Sequence, residues 1–388
     1  MRSYESKEEE IANTRSGEYV WKKGVTMAFA GEKFRGGKPT GILSIVVGVE
    51  KKMSLSRVAK RDLIPEKIAG IPTDVVEIPR IYALGTCTGG GGGGCPPHDE
   101  KYRPLIGGIS AIEETSTACT LGLVVRDSTD HTLVALTNNH CAGLLYDVNY
   151  SVPDNGNSEV GGIVMLQPSP YDGGTSGDSY GVVKRAVAMQ FGTASGQDNI
   201  VDCSISTTEI DDTDYIILEL DDGPFPFGDK TMYSAGQEVL KAGRTTGNTP
   251  PPTTTVSSKS TVVNVDYSGG AGGDNNLAPF TDQIICTAAS RFSQGGDSGS
   301  AIVAFINGRY RVIGLHFAGN ANGTMGVCCP MEEIASLLNV EAWDGSVVTD
   351  YTEESAIYVN GRRYVRVGAT TDPVTHSVGS SSSSSGSS

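Results

Sequence analysis

A serine lies in the turn Gly295-Gly296-Asp297-Ser298-Gly299-Ser300, with glycines on both sides and an aspartate just before it. A serine hydroxyl is a poor nucleophile near neutral pH, so Ser298 needs a histidine base within hydrogen-bond reach and a carboxylate to orient that base. It also needs backbone N–H groups aimed at an oxyanion, and neighbouring glycines let the backbone come that close to a substrate. Short glycine-rich strings also form ordinary turns, so the motif gains meaning only with partners.

The chain has five histidines, His98, His131, His140, His316 and His376. His140 stands out because it ends the run Leu133-Val134-Ala135-Leu136-Thr137-Asn138-Asn139-His140, where a strand delivers its last side chain to a loop. A lone histidine is more commonly a satisfied core residue, and only its setting lifts His140 above that reading. Among the acids, Asp202 sits in Asn199-Ile200-Val201-Asp202-Cys203-Ser204-Ile205, an expected strand with apolar flanks. A carboxylate there is costly unless paired, which makes it a better orienter than Asp211, Asp212 or Asp221. The competing reading is an acid at a strand end facing water.

These groups need a scaffold. The chain has 388 residues, 38% of them hydrophobic, enough for a sizeable core and for two or three domains. With 45 acidic and 30 basic residues the formal charge is −15, which argues against nucleic acid or an anionic membrane as the main partner. No apolar run reaches the ~20 residues of a membrane span, and the N-terminal residues lack a basic-then-apolar leader. A cytoplasmic location is expected, although eight cysteines also suit an oxidising, extracellular setting. Fifty glycines, nearly twice the usual ~7%, favour short strands joined by tight turns.

Residues 1–84 read as a small α+β domain, with a strand at Thr40–Val49, a short helix at Ser54–Leu63 and a strand at Thr73–Ile78. Residues 85–101 contain six consecutive glycines, Gly89 to Gly94, and form an expected linker. Over 102–342 short apolar runs recur, among them Cys119–Val125, Thr132–Thr137, Val201–Ile205, Thr261–Val265, Ser300–Ile306 and Tyr310–Leu315. This pattern predicts an all-β fold, closed by one helix at Met331–Val340. Residues 343–376 hold a hairpin with an Asn360-Gly361 turn, and 377–388 form a serine-rich tail expected to be disordered.

Taken in order, Thr137-Asn138-Asn139-His140-Cys141, Asn199 to Ile205 and Gly295 to Val303 resemble the trypsin-like serine protease superfamily. Arg103 to Ser110, Lys241 to Gly247 and Thr73 to Val76 are similar to a bacterial branch related to the plant narrow-leaf proteases. The resemblance spans roughly residues 30–340. It implies a chymotrypsin-like double six-stranded β-barrel and a serine endopeptidase acting in the cleft between barrels. His140 is then general base and acid, Asp202 its orienter and Ser298 the nucleophile, with the N–H groups of Gly296 and Ser298 as oxyanion hole. The order His, Asp, Ser fits this family and not subtilisins or α/β-hydrolases. Cys119 and Cys141 stand where animal trypsins carry a disulfide, so they are either bridged or two buried thiols.

Six residues before the nucleophile, where trypsin carries its specificity aspartate, stands Phe292, which disfavours cleavage after Lys or Arg. Ser293 and His316 resemble the pair with which glutamyl endopeptidases and viral chymotrypsin-like proteases hold a P1 Glu or Gln. A hydroxyl and an imidazole can both donate to such an oxygen. The alternative for His316 is a satisfied core histidine. Phe317, Ala318 and Gly319 resemble the strand that pairs with the substrate backbone.

No cofactor or metal is implied. Cys87, Cys95 and His98 offer zinc-ligand types, but their glycine-rich setting fits a loop better, and Gly243-Arg244-Thr245-Thr246-Gly247 lacks the lysine and helix of a phosphate loop. Ile106-Gly107-Gly108-Ile109 has a superficial likeness to the new N-terminus of trypsin-type zymogens. The expected partner is a polypeptide substrate; the oligomeric state is not legible. The other function class compatible with these residues is a peptide-binding module, or a latent protease regulated by the N-terminal domain.

Overall fold

The computed structural model describes residues 7–35, 38–83, 97–114, 118–143, 162–192, 199–208, 213–220, 223–248, 254–268, 276–345, 357–359 and 362–364. Most of their regular structure is strand; among the described residues the α-helices are α1 (Lys7–Ser16) and α2 (Met331–Leu338). None is long and apolar enough to cross a membrane.

The N-terminal part is built on β1 (Val25–Arg35), β2 (Lys38–Val49), β3 (Lys67–Ile68), β4 (Ile71–Glu77) and β5 (Ile81–Ala83). β2 pairs antiparallel with β1 and parallel with β4. Ala69 and Gly70, both at positive φ, make the two-residue turn from β3 to β4. Ala12 of α1 closes a small core of Val25, Ala28, Ile45, Val47, Ile68 and Ile71. The helix expected over Ser54–Leu63 is instead two separate 3-10 turns, Leu55–Arg57 and Lys60–Asp62, neither with a buried residue. With no apolar face to pack, nothing offsets the entropy of ordering a longer helix.

The middle of the chain forms β6 (Leu105–Gly107), β7 (Ile109–Ser110), β8 (Ile112–Glu113), β9 (Thr120–Leu121), β10 (Leu123–Asp127), β11 (Leu133–Thr137), β12 (Val164–Leu166), β13 (Ser179–Ala186), β14 (Ser204–Thr207) and β15 (Thr213–Ile217). There follow β16 (Val239–Gly243), β17 (Gly247–Asn248), β18 (Thr254–Asp266), β19 (Leu277–Ala288), β20 (Ala301–Ile306), β21 (Arg309–Gly319) and β22 (Met325–Pro330). After α2, β23 (Val340–Ala342) returns to pair with β10. A separate pair, β24 (Ile357–Val359) and β25 (Arg362–Tyr364), matches the expected hairpin. Its Asn360-Gly361 turn lies outside the described residues, as do Cys87, Cys95, the glycine run and the serine tail.

One sheet runs β23-β10-β11-β14-β13-β12-β8. The other runs β17-β16-β20-β21-β22-β19-β18 and continues through β1-β2-β4-β3, with β5 paired to both β18 and β21. A bridge between Glu238 and Thr255 links the start of β16 to the start of β18. Hydrogen bonds therefore join residues 25–83 to the sheet of the C-terminal half. The central core packs Leu123, Val134, Leu136 and Ile205 of the first sheet with Ala301, Leu315 and Phe317 of the second, and α2 adds Met331, Ile334 and Leu338.

Candidate active site

The Ser298 turn is held from several sides. Thr120 Oγ1 donates to Gly296 O at 2.8 Å and Thr245 Oγ1 to Gly295 O at 2.6 Å. The amides of Gly299 and Ser300 donate to His316 O and Asp297 O. Gly296 and Gly299 both have φ +95°, and a Cβ on Gly299 would lie 1.9 Å from Thr120 O. The turn thus needs glycine there, both for its backbone angle and for space. The N–H groups of Gly296 and Ser298 carry no hydrogen bond among the described residues.

His140 opens a short 3-10 turn, His140–Ala142, separated from the end of β11 by Asn138 and Asn139. Asp202 lies just before β14 rather than within a strand as expected, because its amide bonds to Cys329 Sγ and its carbonyl to Asn138 Nδ2 instead of a ladder neighbour. Its wholly buried carboxylate accepts the His140 N–H at 3.1 Å on one oxygen. The other oxygen meets His140 Nδ1 at 2.6 Å and the Tyr267 hydroxyl at 2.8 Å. A proton on Nδ1 leaves Nε2 with a free lone pair, and Nε2 is buried without a hydrogen-bond partner. The Ser298 hydroxyl donates instead to Phe317 O at 3.2 Å. Phe317 lies at the register slip between β21 and β22, between the pairs His316 with Cys328 and Ala318 with Val327.

Cys119 and Cys141 are bridged, tying the residue before β9 to the residue after His140. The cluster Cys119, His140 and Cys141 therefore offers no thiolate to a metal. His98 is buried, with Nδ1 on Gly108 O at 2.5 Å and Nε2 on Glu219 at 3.0 Å, so neither nitrogen is open to zinc.

Asp297 is held mainly by the Lys241–Gly247 segment, for which the sequence suggested no such role. One oxygen accepts the amides of Thr245 and Thr246; the other accepts Thr246 Oγ1, the Gln294 amide and Lys241 Nζ, the last at 3.3 Å. Burial alone would raise this carboxyl, but the Lys241 ammonium and the Thr246 and Thr245 donors outweigh it and hold it below its ordinary range. The Gly243–Gly247 segment thus turns its amides onto Asp297, and Arg244 is locked onto Asp172. Ile106 sits buried in β6.

Ser293 Oγ lies 2.7 Å from His316 Nε2, with both residues buried. Burial first, and then the Lys241 charge, lower the His316 pKa to about 3, so its imidazole is neutral. Gly326 faces this pair, and a Cβ there would meet Phe292 and His316 within 2.8 Å. Beyond Phe317, Ala318 lies across from Ala83 and Gly319 from Tyr82. The structure therefore joins His140 to Asp202 and Ser298 to Phe317, brings the Ser298 carbonyl within 3.8 Å of the sulfur of Cys141, the residue after His140, and pairs Ser293 with His316. Tyr267 had no signal in the sequence, because only the fold carries it to Asp202, 65 residues away.

No protein-family model matches this chain, nor does any curated protein. Among solved structures it is similar to a glutamic acid specific serine protease with a histidine triad in substrate binding, at 19% identity and TM-score 0.40 over 62% of this chain and 100% of the other. It is also similar to Nocardiopsis protease, at 15% identity and TM-score 0.38 over 61% and 97%. Cellulomonas bogoriensis chymotrypsin matches at 17% identity and TM-score 0.38 over 62% and 98%.

Proposed function

We propose that the chain is a serine endopeptidase of the trypsin-like superfamily. The observation that carries this reading is the 2.6 Å contact of His140 Nδ1 with the buried Asp202 carboxylate, set beside a serine whose turn leaves two amides unpaired. The catalytic unit is assigned to 102–342, with 1–84 ahead of it, 85–101 as linker and 343–376 as an extension. The strands β16, β20, β21, β22, β19 and β18, joined at their ends by the Glu238 bridge, are read as one six-stranded barrel. The sheet of β8 and β10–β14 is the basis of the other.

In this reading the Ser298 hydroxyl rotates from Phe317 O to His140 Nε2, gives up its proton and attacks the scissile carbonyl. The oxyanion forms against the N–H groups of Gly296 and Ser298. His140, now positive and paired with Asp202, returns the proton to the leaving amine, and water then hydrolyses the acyl-enzyme by the same route. No metal or cofactor enters these steps. Asp297 already has Lys241 as its counter-charge, so assembly of the turn needs no new N-terminus before Ile106.

Ser293 and His316 are proposed to meet the P1 side chain. A neutral imidazole favours the amide of Gln over the carboxylate of Glu, because no formal charge on His316 rewards the anion. An unchanged P1 preference in His316→Ala across a P1 library would remove this assignment. The triad itself is tested by fluorophosphonate labelling: wild type should react, while Ser298→Ala and His140→Ala should not. Folded wild type that stays unlabelled would favour a peptide-binding module, the reading to which the Ser298 to Phe317 hydrogen bond lends weight.

A further inference from the structure

We infer that the edge of β21 beyond Phe317 is a peptide-binding surface whose resident ligand is the chain's own strand β5, held there as a tethered competitor of substrate. This rests on the reading of Ser298 as nucleophile. β5 lies antiparallel to β21, with Tyr82 across Gly319 and Ala83 across Ala318. One residue further along, Phe317 O touches the nucleophile. β5 therefore runs with its C-terminal residue toward Ser298. That is the direction in which the acyl half of a peptide must approach for its carbonyl to reach the serine.

An incoming peptide that adds to this edge uses the same backbone N–H and C=O groups of Ala318 and Gly319. The two occupants exclude each other. β5 is also a built occupant. On its other flank it pairs in parallel with Val265 and Asp266 of β18, and Ile81 is wholly buried in the central core. Arg80, just before it, bonds to the buried Asp266 at 3.0 Å and to Glu50 at 2.7 Å. These anchors act at the start of β5, whereas Tyr82 and Ala83, nearest the serine, are only half-buried. The strand can peel from that end while Ile81 stays docked. A short tether gives an effective concentration on the order of millimolar, enough to compete with peptides of ordinary KM.

The test compares the full-length wild type with Tyr82→Pro, which removes an amide from β5, and Arg80→Ala, which loosens its anchor. The readouts are hydrolysis of a tetrapeptide-amide library, turnover of p-nitrophenyl acetate, which needs no strand edge, and fluorophosphonate labelling of Ser298. In both variants the peptide KM should fall about tenfold or more, or peptide cleavage should appear where wild type has none, with ester turnover unchanged. Folded, labelled variants whose peptide kinetics match wild type overturn the inference and leave the nucleophile standing. Absence of labelling in all three overturns both. Should Tyr82→Pro fail to fold, Arg80→Ala keeps the backbone of β5 intact and gives the answer.

Discussion

Asp202 gathers three donors from two residues, and each does a different task. The two His140 contacts fix the imidazole's position and tautomer, while the Tyr267 hydroxyl shares the carboxylate's charge. Tyr267→Phe removes that donor at a buried carboxylate, a loss of about 1–3 kcal/mol. The loss should show as a lower midpoint in urea unfolding at pH 7, and an unchanged midpoint would show that Tyr267 only packs. His316 gives a separate signal in stability. Its folded pKa of about 3 lies below the ordinary 6.5, so between these values the unfolded chain binds a proton that the folded one refuses. Stability is full above pH 6.5 and falls as pH drops through this window, by about 1.4 kcal/mol per unit. His316→Gln should flatten that slope in urea titrations from pH 7 to pH 5, above the range where the unfolded Asp127 carboxyl begins to take up a proton; burial raises the folded Asp127 carboxyl, but Arg185 and Lys184 outweigh it and hold it at about 2. Ser298 and His140 could be picked out as candidates because each sits in a short motif. Tyr267 and Lys241 were not, since their roles arise from contacts across 65 and 56 residues of chain.

Strands were legible where apolar runs met turn residues on both sides, as in β11, β20 and the body of β21. β22 carries no such signal, since it ends on Pro330, and its place between β19 and β21 makes it a strand. The helix forecast over Ser54–Leu63 failed for lack of a face to bury. At this scale the Cys119–Cys141 bridge is the most testable element, since it closes a separation of 22 residues and ends in the turn that carries His140. Loss of the bridge in the double variant Cys119→Ala, Cys141→Ala should cost about 3 kcal/mol by the chain-entropy account. Thermal unfolding should reveal it as a lower Tm, with reductant lowering the wild type alike. A Tm that responds to neither would deny the bridge any part in stability.

Across the whole molecule, the all-β character could be read from composition, but the sharing of one sheet by residues 25–83 and the C-terminal half could not, because pairing partners lie some 230 residues apart, as Met27 and Val263 do. Deleting residues 1–78 strips β1 from β18 and leaves an open strand edge. Sedimentation should show that truncated chain self-associating; a monodisperse product would mean the edge is covered in another way. The last residue of β18 and the one that follows it have different clients: Asp266 holds Arg80, and Tyr267 holds Asp202. Two occupants that exclude each other at one strand edge are thermodynamically linked, and linkage is reciprocal. Whatever factor β5 takes from the affinity of a ligand at Ser298, that ligand must take from the hold on β5. Covalent capture of the serine by a peptidyl inhibitor should therefore be readable at a distance, as faster amide exchange at Tyr82 and Ala83.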